Sequence, residues 1–407
     1  MEVAKECGVG GPGGRRRNSG LAVRQVGRTG WDSLCTMGQW ALKSGNASIR
    51  LPIRKPFNSM RAVTFAAPFD LRTVSVPDPV LLAPTDAIVR VEAAAICGSD
   101  LHVYRGVERG LDPGTVLGHE FTGTVVCAGD AVVRARPGVR VAAPFTVNCG
   151  TCWACQRGLT ARCVESQVFG WVQQGAGLQG GQAELVRVPH ADATLVPIGD
   201  SIPAGRALLA GDVFSTGLHA VEQGGVGPGV SVAILGLGPV GQCAVLAAVA
   251  AGAGVVYAID RVAHRLEQAQ LHGAIPVNLD ADVTGTVRQG TEGRGVDVVI
   301  EAVGYPDATQ LAWQIVRPGG TISAPGVHNE PAFALTPGQL YDKNLTYRAG
   351  RSPARAYLER SLDLLNRAGW QLESLFSHQM SLEEAPRGYE LFDQRRENCT
   401  KVLLRIG

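Results

Sequence analysis

The chain has no run of about eighteen uninterrupted apolar residues, so it offers no membrane-spanning helix. Its most apolar stretch, CAVLAAVAAGAGVVYAI over 243–259, is interrupted by Gly-Ala-Gly and reads as helix, turn and strand. Net charge is also scarce, at +2 over 407 residues, and unevenly placed. Residues 1–59 carry ten Lys/Arg against three acids, which leaves 60–407 at −5. A mildly acidic body gives no ground for nucleic-acid binding. No internal repeat is present, and no secretory signal precedes the ten cysteines. Tight cysteine clusters without such a signal point to a reducing compartment, hence a cytoplasmic location, and to metal binding over disulfides.

What is there suits a globular chain, with 45% hydrophobic and 18% charged residues and length for two or three domains. The first 59 residues stand apart. They are basic, Gly-rich and without helical or strand periodicity, and are expected to be disordered. A targeting peptide fits the Arg-rich, acid-poor composition but lacks an amphipathic helix. A twin-arginine signal lacks the apolar core that should follow Arg15–Arg17. An extension upstream of Met60, where a strand-like run opens, is the plainer reading.

Two rhythms follow. From Met60 to about Ala210, runs such as AIVRVEAAAIC (87–97), GTVVCAGD (123–130), RVAAPF (140–145) and AELVRVP (183–189) predict an irregular, mostly antiparallel β domain. From about Asp212 to Gly350, strands and helices alternate. VSVAILG (230–236), VVYAID (255–260), VDVVIEAVG (296–304), GTISAPG (320–326) and LTYRAG (345–350) are the strands. Helices are expected at 240–251 and 264–274. This alternation predicts an α/β fold with a doubly wound parallel sheet. The last segment is helical around ARAYLERSLDLLNRAG and ends on the strand KVLLRI.

Strand VSVAILG runs into Gly236-Leu-Gly238-Pro239-Val240-Gly241, a GxGxxG motif. Between a buried strand and a helix, its glycines permit a tight turn, close approach of a pyrophosphate, and helix–strand packing. Asp260 ends the second strand, where a carboxylate accepts from an adenosine ribose and repels a 2′-phosphate; this favours NAD over NADP. Arg261 and Arg265 stand nearby, and Arg265 is a further cofactor candidate.

Cys149, Cys152, Cys155 and Cys163 have the spacing C-x2-C-x2-C-x7-C. Four thiolates on one loop match a closed tetrahedral zinc site, which is structural; a redox CxxC would need two. A scattered set lies near the junction of the halves, at strand ends or turns: Cys97, Ser99 and His102 in ICGSDLH, His119 and Glu120 in LGHEFTG, and Asp212 in GDVFSTG. Singly, each has an ordinary explanation as a buried thiol, a satisfied histidine or a cap.

Together and in this order, CGSDLH, GHE, the four-cysteine lobe, GDVFSTG, GLGPVG, Asp260 and KVLLR resemble the zinc-dependent medium-chain alcohol dehydrogenase family over Met60–Gly407. The resemblance implies a GroES-like catalytic domain formed by 60–211 and 351–407, and a Rossmann NAD-binding domain at 212–350. It implies Cys97, His119 and Asp212 as ligands of a catalytic zinc, with Glu120 able to approach it, and therefore two zinc ions per chain. Aspartate at 212 is similar to the branch of formaldehyde, polyol and threonine dehydrogenases. Ser99 and His102 match a proton relay, Thr216 and Val240 residues behind the nicotinamide, Phe145 a pocket wall, and Lys401 a position near the pyrophosphate. The implied activity is NAD+-linked oxidation of an alcohol or aldehyde hydrate through a zinc-bound alkoxide and hydride transfer. A polyol or L-threonine 3-dehydrogenase is the alternative, and a non-catalytic nucleotide sensor the remote one. Such proteins are usually homodimers or homotetramers acting on small molecules.

Overall fold

Six strands from Ser231 to Ala349 lie parallel in one sheet, in the order Ile275–Asn278, Val255–Asp260, Ser231–Leu235, Val296–Glu301, Val316–Ala324, Thr346–Ala349. The first strand in sequence is thus central, and the winding reverses between it and Val296–Glu301. In sheets wound this way, ligands bind at that reversal, outside the carboxyl ends of the strands. The central strand reads SVAIL, apolar almost throughout, because both its faces are covered. Val232 and Ile234 enter one core and Ala233 and Leu235 the other, as the two-residue period of a strand requires. This computed structural model describes residues 59–330, 332–367, 370 and 372–406, so the expectation of disorder for 1–59 lies outside it except at Ser59.

Helix Pro239–Ala250 follows the central strand. Gly238 is its extended N-cap and Pro239 its first residue, where a missing N–H costs nothing. Residues Gly241–Ala248 are all buried, since the helix packs on the central strand on one side and on helix Val213–Gly224 on another.

A seven-stranded sheet makes the other half. Its order is His378–Ser381, Val402–Arg405, Ala87–Ile96, Glu120–Ala128, Arg140–Ala142, Val196–Pro197, and Leu185–Val188 also pairs with Ala87–Ile96. Every pairing is antiparallel except His378–Ser381 with Val402–Arg405. Ala87–Ile96 is covered on both faces by core clusters, which is why it is apolar at nearly every position. Its register sets Ala95 opposite Glu120 and Ile96 opposite Val402, so three strands present their ends together.

Between Ile202 and Asp212, the sequence reading saw only the end of a β region. The chain instead forms helix Ala204–Gly211, with Pro203 as N-cap. Its glycines at positions 205 and 211 weaken the local helix signal, and burial supplies the rest. Leu208 and Leu209 join Ala93, Ala95 and Leu403 of the antiparallel sheet, and Val232 and Ile234 of the parallel one, in a single core. Each buried leucine there contributes roughly 1.5–3 kcal/mol. That shared core holds the two sheets' strand ends in a fixed relation.

Candidate active site

Three chain segments deliver the scattered residues. Cys97 leaves the end of strand Ala87–Ile96, and His119 precedes its partner Glu120–Ala128, so the register alone makes them neighbours. Asp212 comes from the break between helices Ala204–Gly211 and Val213–Gly224, where φ −144° and ψ −83° end the first helix. The sequence reading had a strand end or turn at each of these positions; at Asp212 the structure has a helix junction. Asp212 Oδ2 stands 3.3 Å from Cys97 Sγ and 3.2 Å from His119 Nε2. All three, with Glu120, are buried and offer donor atoms within 4.8 Å of one another.

A tetrahedral zinc with bonds of about 2.0–2.3 Å keeps its ligands about 3.3–3.8 Å apart. The observed separations suit that size, and sulfur, imidazole and carboxylate are donors zinc accepts. The electrostatics ask for a cation. Burial, followed by Asp212 and Glu120, pushes the Cys97 thiol up to about 11. Burial also lifts the Glu120 carboxyl to about 7 in spite of Lys401, and Glu120 Oε2 is buried without a partner. For His119, burial is outweighed by Asp100, Cys97 and Asp212 together, which raise it well above the ordinary histidine value.

Asp100 was not singled out in the sequence, although it lies inside CGSDLH. Its Oδ1 stands 3.0 Å from His119 Nδ1 and its Oδ2 accepts from the Cys97 backbone N–H at 2.9 Å. It therefore orients one donor and fixes the backbone of another, leaving His119 Nε2 turned to the cluster. Only the fold shows which group this carboxylate faces.

Around the donors, Ser99 Oγ lies 3.2 Å from His119 Nε2. The His102 backbone N–H donates to the Ser99 carbonyl at 3.1 Å. Burial pushes His102 below its ordinary value. The Phe145 ring stands edge-on to His119, with centroids 6.3 Å apart. Thr216, one turn after Asp212, donates its backbone N–H to the Asp212 carbonyl at 2.8 Å and lies 3.4 Å from its carboxylate. Lys401 departs from expectation. It is fully buried, its ammonium donates to Glu120 at 2.7 Å, and no hydrogen bond links it to the glycine loop. Strand pairing explains this, because Val402 sits opposite Ile96 and brings Lys401 to the same sheet end as Glu120.

In the glycine loop, Gly236 has φ +84°, and a Cβ on Gly241 would stand 1.8 Å from the Gly236 carbonyl oxygen, so these two positions admit no larger residue, whereas a Cβ on Gly238 would meet nothing within 4 Å. Gly238, Pro239 and Val240 start the helix as expected. Asp260 accepts from the backbone N–H of Leu237, Arg261 and Val262 at 2.7, 2.7 and 2.9 Å. It thereby ties the end of its strand to the loop. Arg265 is buried beside it, 3.7 Å from Asp260, with Nε unpartnered. The helix that starts at this loop packs on helix Val213–Gly224, which begins just after Asp212, and its Cys243 shares a core with Cys97. Loop and donor cluster therefore adjoin.

The four cysteines of the lobe converge separately, partly exposed apart from Cys163. Their sulfurs accept from backbone: Cys163 from the N–H of Cys149 and Glu165, Cys149 from Cys152, and Cys152 from Cys155, at 3.2–3.5 Å. The last contact holds the Cys152 thiol down to about 6.

Comparison with known proteins places both halves. Residues 83–200 match the alcohol dehydrogenase GroES-like domain, and 239–367 match the zinc-binding dehydrogenase family. The chain is 37% identical over 359 residues to zinc-type alcohol dehydrogenase B of Aspergillus flavus, covering 86% of this chain and 82% of that one. Among solved structures it is similar to the alcohol dehydrogenase TADH from Thermus sp. ATN1, with 42% identity and a TM-score of 0.81 over 86% of this chain and all of that one. It is also similar to an Escherichia coli CFT073 alcohol dehydrogenase solved with NADH, with 26% identity and a TM-score of 0.75 over 86% and 99% of the two chains.

Proposed function

The chain belongs to the family of zinc-dependent alcohol dehydrogenases, and from that premise we propose that it oxidises an alcohol or aldehyde hydrate with NAD+, using Cys97, His119 and Asp212 to hold a catalytic zinc. The observation that carries this is the convergence of those three donors, buried, beside the helix that begins at the glycine loop. A second zinc is assigned to Cys149, Cys152, Cys155 and Cys163, whose four sulfurs leave no position for substrate.

When bound, the catalytic metal and the nicotinamide would supply Lewis acidity, which brings a hydroxyl's pKa down towards about 7, and a hydride acceptor. The chain's own groups do the rest. Asp100 keeps His119 Nε2 turned inward. Ser99, beside that nitrogen, takes up the hydroxyl proton as it releases its own. His102, kept neutral at neutral pH by its burial, accepts the proton outward and releases it to solvent. Phe145 walls the site next to His119, and Thr216 packs behind Asp212. Lys401 donates to Glu120 and draws its carboxyl down against the burial that lifts it. Asp260 supports NAD over NADP, since its carboxylate would repel a 2′-phosphate.

A panel of alcohols and polyols, read by NADH and NADPH formation alongside zinc content per chain, tests the proposal. Turnover with NAD+ and two zinc ions supports it; a zinc-free chain, or one active without zinc, would sink it. The free thiols of both clusters fit a reducing compartment such as the cytoplasm, and light scattering would decide between homodimer and homotetramer.

A further inference from the structure

The segment 326–330, GVHNE, leaves the carboxyl end of strand Val316–Ala324 and is pinned at its root. The pin is Glu301, fully buried at the end of strand Val296–Glu301. Its Oε1 accepts from the backbone N–H of Val303 and Gly304, both at 2.8 Å, and its carbonyl accepts from the Gly326 N–H at 3.3 Å. Its Oε2 stands 2.8 Å from His328 Nε2. A buried carboxylate holding two N–H groups and an imidazole is a stiff anchor.

From that anchor Asn329 reaches the other half of the molecule. Its Nδ2 lies 3.3 Å from Nδ1 of His102, 227 positions away on helix Asp100–Tyr104. An amide nitrogen only donates, so Nδ1 accepts and the neutral ring carries its proton on Nε2. Rotation of the same amide would present its oxygen to a protonated Nδ1. Asn329 is therefore able to hold the ring in either protonation state, which a purely accepting or purely donating side chain could not do.

We propose that Asn329 is a positioning residue of the proton relay: held by the Glu301–His328 anchor, it sets the tautomer and orientation of His102 from across the cleft. The inference rests on the reading of His102 as the relay's outer base. The charged groups acting on His102 are Glu108 and Arg105 from its own segment and Glu330 from the loop, the last also 3.9 Å from His328 Nδ1.

The test uses full-length, zinc-loaded Asn329→Asp, Asn329→Ala and His102→Gln enzymes. Two quantities are read: the pH dependence of kcat/KM for alcohol oxidation, and the His102 titration by NMR, assigned by its loss in His102→Gln. A carboxylate at 329 favours the imidazolium. Asn329→Asp should raise the His102 pKa, and with it the acid limb of the profile, by about one pH unit. Asn329→Ala should lower kcat about three- to tenfold while the limb moves far less. KM for NAD+ should stay unchanged in both. An Asn329→Asp enzyme with unmoved titration and limb, while His102→Gln has lost that limb, overturns the role of Asn329 alone. A His102→Gln enzyme that keeps the wild-type limb overturns the relay reading and the role of Asn329 within it, and the NMR titration still reports whether the contact exists.

Discussion

The four-cysteine lobe and the Cys97–His119–Asp212 cluster both gather metal-binding donors, but they assemble them in opposite ways. The lobe gathers its sulfurs within fifteen positions of chain, and the groups that steady them are backbone N–H donors of the same loop. The other cluster draws on residues 97, 119 and 212, and its steadying groups are side chains, Asp100, Lys401 and Thr216, from three separate segments. One thiol is held down to about 6 by a local N–H; the other is driven up to about 11 by burial among acids. A locally closed set can be built by a loop and suits a staple. A dispersed set needs two sheets and a helix junction to assemble it, and in return it lies buried beside the cofactor loop.

That contrast can be broken by mutation, taken here in order of effect on turnover. Cys97→Ser should cut kcat/KM by more than about 100-fold, beyond the usual cost of an outer-shell change, and leave one zinc in a folded chain. Steady-state kinetics with zinc analysis checks it, and retained activity would erase the distinction. Asp100→Asn should cost about 10–100-fold in activity or zinc affinity, because His119 loses the carboxylate that orients it. A competition assay with a chelating dye reads the affinity directly, and a neutral outcome would mean that the outer shell of this cluster is dispensable. Lys401→Met leaves Glu120 buried without its cation and should destabilise the fold by about 3 kcal/mol. Urea denaturation should then show recovery in the Glu120→Gln/Lys401→Met double variant. Cys152→Ser should change turnover least. Its mark is a melting temperature lower by on the order of 5 °C with one zinc lost, and if kcat fell as far as in Cys97→Ser the lobe would not be a mere staple.

The parts legible in the sequence are those whose signal is local. Strands such as SVAIL and VVYAID, the turn Gly236–Gly241 and the cysteine spacing declare themselves through period, backbone freedom and ligand distance along the chain. Helix Ala204–Gly211 was missed because glycine dilutes its pattern and tertiary burial makes up the difference. Lys401 was assigned to the pyrophosphate on resemblance, and its strand register instead brings it to Glu120. Asp100 and Asn329 carried no signal, since a carboxylate or amide acquires meaning only from the group it faces.

By itself, then, the chain's order of residues determined the alternation of strand and helix, the dinucleotide turn and the four-sulfur loop, because each depends on neighbours a few positions apart; the strand order, including the unforeseen strand Ile275–Asn278, came from pairings across the fold. Only the tertiary structure decided that Cys97, His119 and Asp212 meet, that Asp100 stands behind His119, and that Asn329 reaches His102. Those contacts span up to 227 positions, and they exist because strand register and one shared core bring distant ends together.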